Sequence, residues 1–199
     1  MSAFVPNGQV YGHKLIVFAA DEDLFAVLDS SFHYHWVILR GSSMRTDAVY
    51  TPSDCFVTFP FPALKNLNQF GAQFLNARVT VLSSRRVGLT DALALFNKAD
   101  ENSSDIAEMR QAFEQLDHGV ATAYGWTFPL DHEFYETKQG KRFTISPDAQ
   151  RKALDLLLQL NHERYAQEQE AAESNKTRRY RRKKSGHAPG LFETEITPA

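Results

Sequence analysis

Arg45 and Asp47 stand two residues apart in the run 41–62, GSSMRTDAVYTPSDCFVTFPFP, where they offer a planar fork of donors and a carboxylate acceptor. Arginine can donate bidentately to the major-groove edge of guanine and aspartate can accept from cytosine, each discriminating between base pairs by roughly 1–3 kcal/mol. The alternative for the two is an ion pair closed within the loop. Gly41, Ser42 and Ser43 form a flexible approach, and Thr51-Pro52-Ser53-Asp54 reads as a turn with helix-capping side chains. Phe56, Phe59 and Phe61 alternate with Pro60 and Pro62. Prolines at that density exclude helix and favour an extended, pre-ordered segment, a clamp able to anchor a loop that presents side chains accurately. Arg40, Ser43, Thr51 and Ser53 follow as candidate phosphate contacts. Nothing in the run is a catalytic motif.

Elsewhere the chemistry-bearing residues read more plainly. His33 and His35 resemble a metal pair, but an i, i+2 pair on a helix points to different faces, whereas ligands need i, i+3 or i, i+4. Packing, helix structure or a phosphate contact suits them better. No G-x-S-x-G elbow occurs. Asn161, His162, Glu163 and Arg164 sit where they would pin a long helix by hydrogen bonds. Glu136-Thr137-Lys138 spells the end of a metal-dependent nuclease motif, but the upstream acid, Asp131, is too close for it, and a solvated hairpin around Gly140 is the reading adopted. The 8 prolines are never adjacent and no two of the 10 glycines are spaced i, i+2, so a Pro-Pro element and a G-x-G turn are both absent.

A chain of 199 residues with 43% hydrophobic content can bury one or two modest cores. Cys55 is the single cysteine, which rules out an internal disulfide and fits a reducing compartment; a small buried role beside Phe56 is expected. No apolar run approaches the roughly 20 residues of a membrane span, and the first residues lack the pattern of a signal peptide. A cytoplasmic location is expected. Net charge is −2, unevenly spread: residues 1–100 hold 8 basic and 8 acidic side chains, 101–176 hold 8 and 14, and 177–199 hold 6 and 2. Acidic surface repels phosphates, so DNA contact is expected from the N-terminal half or from the basic block TRRYRRKK at 177–184. Such a block is usually solvated and disordered, and this one is expected to be an accessory.

Several elements follow from spacing. Residues 14–19, KLIVFA, read as a short buried strand, and Asp21-Glu22-Asp23 as the start of a helix. Leu24, Leu28, Phe32, Trp36 and Leu39 recur at helical intervals, with a break near Ser30-Ser31. Leu64, Leu67, Phe70, Phe74 and Leu75 predict a helix from Ala63 to about Ser83, with Gly88 as its stop. Thr90 can cap a helix over 91–97 and Ser104 one over 105–124, whose apolar face is Ile106, Met109, Phe113, Leu116, Val120 and Ala123. Gly125 ends it, and Trp126 and Phe128 fold back onto the bundle. A hairpin over 133–145 turns at Gln139-Gly140, and Ser146-Pro147-Asp148 starts a last helix to about Asn175. The fold class is mainly α (α+β): a short strand and aromatic–proline segment, then a helical bundle with a small hairpin.

Four stretches, in order, carry a resemblance: SSFHYHWVILR at 30–40 with the run that follows it, GLTDALALFN at 88–97, SSDIAEMRQAFEQLDHGVATAYGW at 103–126, and LLLQLNHERYAQE at 156–168. Together they resemble the end of the target recognition domain and the C-terminal helical domain of the MmeI-like adenine-specific DNA methyltransferases of bifunctional restriction–modification systems. The likeness covers about residues 14–168. It implies that 1–62 is the end of a recognition domain and 63–175 a helical domain; 176–199 lies beyond the likeness and is read from its charge as a basic, disordered tail. It also implies that the Gly41 loop reads target bases. The glycine-rich cofactor loop and the Asn/Asp-Pro-Pro-Tyr/Phe motif of that family do not occur here, and the upstream part of the recognition domain is expected to be missing. The chain is therefore expected not to be catalytic alone. S-adenosylmethionine would be carried by a parent or partner chain, and double-stranded DNA would be engaged together with that chain. The alternative is a free-standing module that binds another protein through the acidic helical bundle, with no DNA readout.

Overall fold

The computed structural model describes residues 2–5, 8, 10–12, 15–44 and 47–185, with side chains of 42–48 and 175–185 left outside that description. The chain divides into two units, Met1–Gln159 and Leu160–Ala199.

Asp21 accepts from the Leu24 backbone N–H at 2.9 Å and so starts helix α1, Glu22–Asp29. At Ser30 the backbone turns extended, and its hydroxyl donates to the Val27 carbonyl at 2.7 Å. Helix α2, Ser31–Arg40, begins immediately after it, so the break expected near Ser30-Ser31 is there. A two-stranded hairpin follows, β1 (Ser42–Met44) against β2 (Asp47–Val49), then a π-helical turn over Pro52–Phe56 closed by Val57 N–H to Pro52 O at 2.9 Å. Helix α3 (Asn68–Arg85), α4 (Leu89–Phe96) and α5 (Ser104–Ala123) form the body of the first unit. The second hairpin is β3 (Glu133–Thr137) with β4 (Gly140–Thr144), and α6 runs over Pro147–Ser185. A mainly α chain with small antiparallel hairpins is the result, as the sequence predicts.

The core lies where α3 crosses α5 and α1, with α4 and the first turns of α6 closing its sides. Ile106, Met109, Leu116 and Val120 of α5 are fully buried and Phe113 nearly so, matching the predicted face, while Ala123 is half-buried. Each large apolar side chain so enclosed contributes roughly 1.5–3 kcal/mol. Trp126 stacks on Tyr124 with ring centroids 4.2 Å apart and meets Phe32 edge-on at 5.5 Å, which is the expected folding back. Gly125 (φ 75°) turns the chain there and Gly140 (φ 92°) turns the hairpin, both in the left-handed region that glycine enters without strain.

Helices α1 and α3 approach so closely that a Cβ on Gly71 would lie 2.4 Å from the Glu22 carbonyl oxygen. Backbone cannot yield as a side-chain end can. Gly71→Ala is therefore expected to lower stability by roughly 1–3 kcal/mol, overriding alanine's helix advantage of about 1 kcal/mol, as a fall in urea midpoint would show.

Several expectations are corrected. Residues 15–20 form no strand: Leu15 is 63% and Val17 55% exposed, and the segment pairs with no ladder, without which apolar β-prone residues do not make a strand. Lys14, the start of that expected strand, lies outside the described residues. Helix α3 begins at Asn68 rather than Ala63, because Asn66 is left-handed (φ 63°) and the Leu67 N–H donates to Asp23 at 2.6 Å. It ends on left-handed Arg86, which frees Gly88 to serve as the N-cap of α4 in place of Thr90. Ser103, not Ser104, precedes α5, and its hydroxyl is held by Glu101 and Arg85 instead of capping. Helix α6 continues to Ser185, through the basic block expected to be disordered from residue 176; residues 186–199 of that expected tail lie outside the described residues.

Candidate nucleic-acid interface

Gly41 is the joint between α2 and the first hairpin. A Cβ there would meet Val37 O at 2.6 Å, Val49 O at 3.0 Å and the Cys55 sulfur at 3.5 Å, so helix, returning strand and π turn converge on a position only glycine fits. The expected flexible approach over Gly41, Ser42 and Ser43 is instead paired: Ser42 lies opposite Val49, Ser43 opposite Ala48 and Met44 opposite Asp47. Ser43 and Asp47 therefore sit on opposing strands. Arg45, between them, lies outside the described residues.

Below the hairpin, Asp54 organises the π turn. Thr51 donates to it at 2.8 Å and Ser53 at 3.3 Å, while Thr58 donates to its backbone carbonyl. Trp36 Nε1 donates to Thr58 at 3.2 Å, tying α2 to the turn. Arg40, exposed at the end of α2, rests its guanidinium 5.5 Å from the Trp36 ring. Cys55 is wholly buried, as expected. Phe61 meets Phe56 and Phe59 at 4.9 Å each, and Phe59 meets Trp36 at 5.9 Å. The aromatic–proline clamp is thus a packed wedge, with a tight turn at Pro60, where the Phe61 N–H donates to the Phe59 carbonyl at 3.0 Å, in place of the expected extended segment.

His33 sits under this wedge. Its Nδ1 donates to the Leu28 carbonyl at 3.1 Å, and in the neutral ring Nε2 accepts from the Tyr50 hydroxyl at 3.3 Å. Burial pushes its pKa down to about 4 and pushes the Tyr50 hydroxyl up to about 12. His35 turns the other way, as the i, i+2 spacing predicts, with Nε2 3.2 Å from the Thr144 hydroxyl of the second hairpin and a pKa lowered by burial to about 4. Among the described residues there is no cluster of three or more His, Cys, Asp or Glu side chains able to hold a metal ion. No described helix is long and apolar enough to cross a membrane.

Sequence reasoning missed several organising groups. Tyr50 carries no signal of its own in the sequence and Asp54 reads only as a turn residue with a capping side chain, although both polar groups build the base of the hairpin. Arg110, on the buried side of α5, donates to the carbonyls of Leu95, Phe96, Lys98 and Glu101 at 2.7–3.3 Å, closing the end of α4, and stacks on Phe134 at 4.8 Å. Asp117, fully buried, accepts from Ser31 N–H at 2.8 Å and meets His132 Nε2 at 2.8 Å. Their signal was present: each is a charged residue in the phase of an apolar helix face. A cleft of ≈ 1310 Å³ lies beside the wedge, bordered by Phe18, His33, Tyr34, Tyr50, Phe96 and Arg142 among others.

No family profile matches the chain, and no curated protein matches it either. Among solved structures it is similar to the type IIL restriction–modification enzyme MmeI in complex with DNA, at 19% identity over 74% of this chain, with a TM-score of 0.47. The chain resembles part of a restriction–modification enzyme. It spans 17% of the length of that protein.

Proposed function

We propose that the chain is the DNA-recognition and helical C-terminal piece of an adenine-specific DNA methyltransferase of a restriction–modification system. The observation that carries the reading is the seat of the Gly41 hairpin. A short polar hairpin bearing Arg45 and Asp47 rises from a base in which helix, strand and π turn meet within 3.5 Å of one glycine position. Base readout needs a polar tip on a base that does not give way, because a bidentate arginine contact tolerates little displacement. The ordered resemblance across residues 30–40, 88–97, 103–126 and 156–168 supports the same assignment.

In this reading Arg45 donates to a base edge, Asp47 accepts from one, and Arg40 and Ser43 meet phosphates. Thr51 and Ser53 are weaker candidates than their sequence positions imply, since both hydroxyls are engaged by Asp54. Catalysis and S-adenosylmethionine belong to another chain or to another part of the same enzyme, because this sequence supplies neither cofactor loop nor Pro-Pro motif. Arg45→Ala is expected to weaken binding of the assembled enzyme to its cognate duplex roughly 10- to 100-fold, with a smaller loss on unrelated duplexes, measured by fluorescence anisotropy at fixed salt. Equal binding by wild type and variant would remove Arg45 from the interface.

A further inference from the structure

The block expected to be an unstructured accessory is the end of a helix. Backbone helix α6 runs unbroken to Ser185 and carries Arg178, Arg179, Arg181, Arg182, Lys183 and Lys184 in its last two turns. Like charges three and four residues apart weaken an isolated helix. Two things offset this here: these cations lie at the C-terminal end, where the helix dipole favours positive charge, and a counter-anion would relieve the remaining repulsion. A helix of this kind gains order from a polyanion and offers it a fixed array of charge.

The array has a spacing and a distribution. At about 1.5 Å rise per residue, 177–184 spans about 12 Å, or roughly one positive charge per 2 Å. Duplex DNA presents about one negative charge per 1.7 Å of its axis, so the two densities nearly match. At about 100° per residue, the six positions surround the axis and leave no sector wider than about 100° without a cation. A flat anionic membrane would use one side only and would want apolar residues opposite, whereas the sole large apolar residue in the block is Tyr180. A groove has phosphates on both walls, and the B-form major groove, about 12 Å wide, admits a helix about 10–12 Å across.

We infer that the C-terminal segment of α6 is a second, sequence-independent DNA-binding element that lies in or across the major groove and neutralises phosphates on both of its walls. It is separate from the hairpin and does not depend on the Arg45 reading. Sequence discrimination would come from the hairpin, and residence on DNA of any sequence from this helix.

The test uses the full chain and a short labelled duplex of arbitrary sequence, with affinity measured by anisotropy between 50 and 200 mM KCl. About five phosphate contacts give a log–log slope near −4.5, a loss of roughly 500-fold across that range. A variant with R178Q, R179Q, R181Q, R182Q, K183Q and K184Q, whose glutamines have nearly the helix propensity of the residues they replace, should fall to a loss of about threefold or less. Circular dichroism checks that the variant keeps its helix content, and wild type should gain ellipticity on adding duplex. Arg45→Ala should change the slope by no more than about one, which separates failure of the hairpin reading from failure of this one. The inference is overturned if the glutamine variant keeps the wild-type slope. It is overturned equally if wild type prefers phosphatidylglycerol vesicles to duplex. A change in oligomeric mass with unchanged DNA affinity would instead assign the block to contact between copies of the chain.

Discussion

Asp29→Asn is expected to cost roughly 3–5 kcal/mol of folding stability, a large part of the total for a unit of this size, because it strands a buried arginine. Arg78 Nη1 donates to Asp29 Oδ2 at 2.8 Å, and the two side chains are 2% and 1% exposed. The other carboxylate oxygen accepts from the Ser2 backbone N–H at 2.7 Å and from its hydroxyl at 3.0 Å. Phe25 and Phe74 lie 5.2 and 5.6 Å from the guanidinium, so removal of the carboxylate leaves the cation among rings instead of water. The pair joins α1 to α3 a few turns from the Gly71 crossing. Because desolvating both ions already costs much of what their attraction returns, Asp29→Leu with Arg78→Met should be far milder than either single change. Urea unfolding of the two single variants and the double variant measures the cycle, and additivity would disprove the coupling.

Acid is expected to destabilise the protein steeply between pH 6.5 and about 4, through His33 and His35. Both rings are buried, at 3% and 8% exposure, and both fall from 6.5 to about 4 because burial penalises the imidazolium. Above pH 6.5 neither the folded nor the unfolded chain protonates them, and their contribution is fully present. As pH falls below 6.5 the unfolded chain takes up protons that the folded chain refuses, so stability is lost until about pH 4, where the folded rings also protonate and the loss levels off. A displacement of this size corresponds to about 3 kcal/mol per ring as an order of magnitude. Asp105 lies outside this window: hydrogen bonds from Arg85 hold its carboxyl well below the usual carboxylate range, so its contribution is lost only below the ordinary 3.8. Unfolding midpoints for wild type and for His33→Asn with His35→Gln should converge near pH 4 and separate near pH 7. Parallel curves would mean that the two rings do not govern the acid limb. Because His33 sits under Tyr50, the seat of the hairpin should loosen over the same range.

Much of the fold could be read because some signals are local. Ser30 breaks a helical pattern with its own hydroxyl, Gly140 supplies the positive φ of a tight hairpin, and the apolar stripe of α5 needs only a period of 3.6. What could not be read depends on partners distant in sequence. Leu15, Ile16 and Val17 have the composition of a strand, yet a strand exists only with a ladder beside it. Arg110 and Asp117 fall in the phase of the apolar face of α5, but the groups that hold them, like the partner of Arg78, lie far away in sequence. At the candidate interface, Arg45 and Asp47 were legible as donor and acceptor, but the hairpin was not. Ser-Ser-Met and Asp-Ala-Val have weak strand propensity, and their pairing follows from the Gly41 seat. The basic block reads as disordered on charge alone, whereas helix α6 arrives at it already formed.

The proposed role of the Gly41 hairpin is to read DNA as part of a larger methylating enzyme. It is tested most directly by purifying the tagged chain from its own cells, identifying by mass spectrometry what accompanies it, and measuring the binding of that assembly to duplex DNA with and without Arg45→Ala. The expected result is a companion polypeptide bearing a glycine-rich cofactor loop and a Pro-Pro-Tyr/Phe motif, and site-specific binding that weakens roughly 10- to 100-fold in the variant. Recovery of the chain without such a companion, together with failure to bind duplex even at low salt, would contradict it.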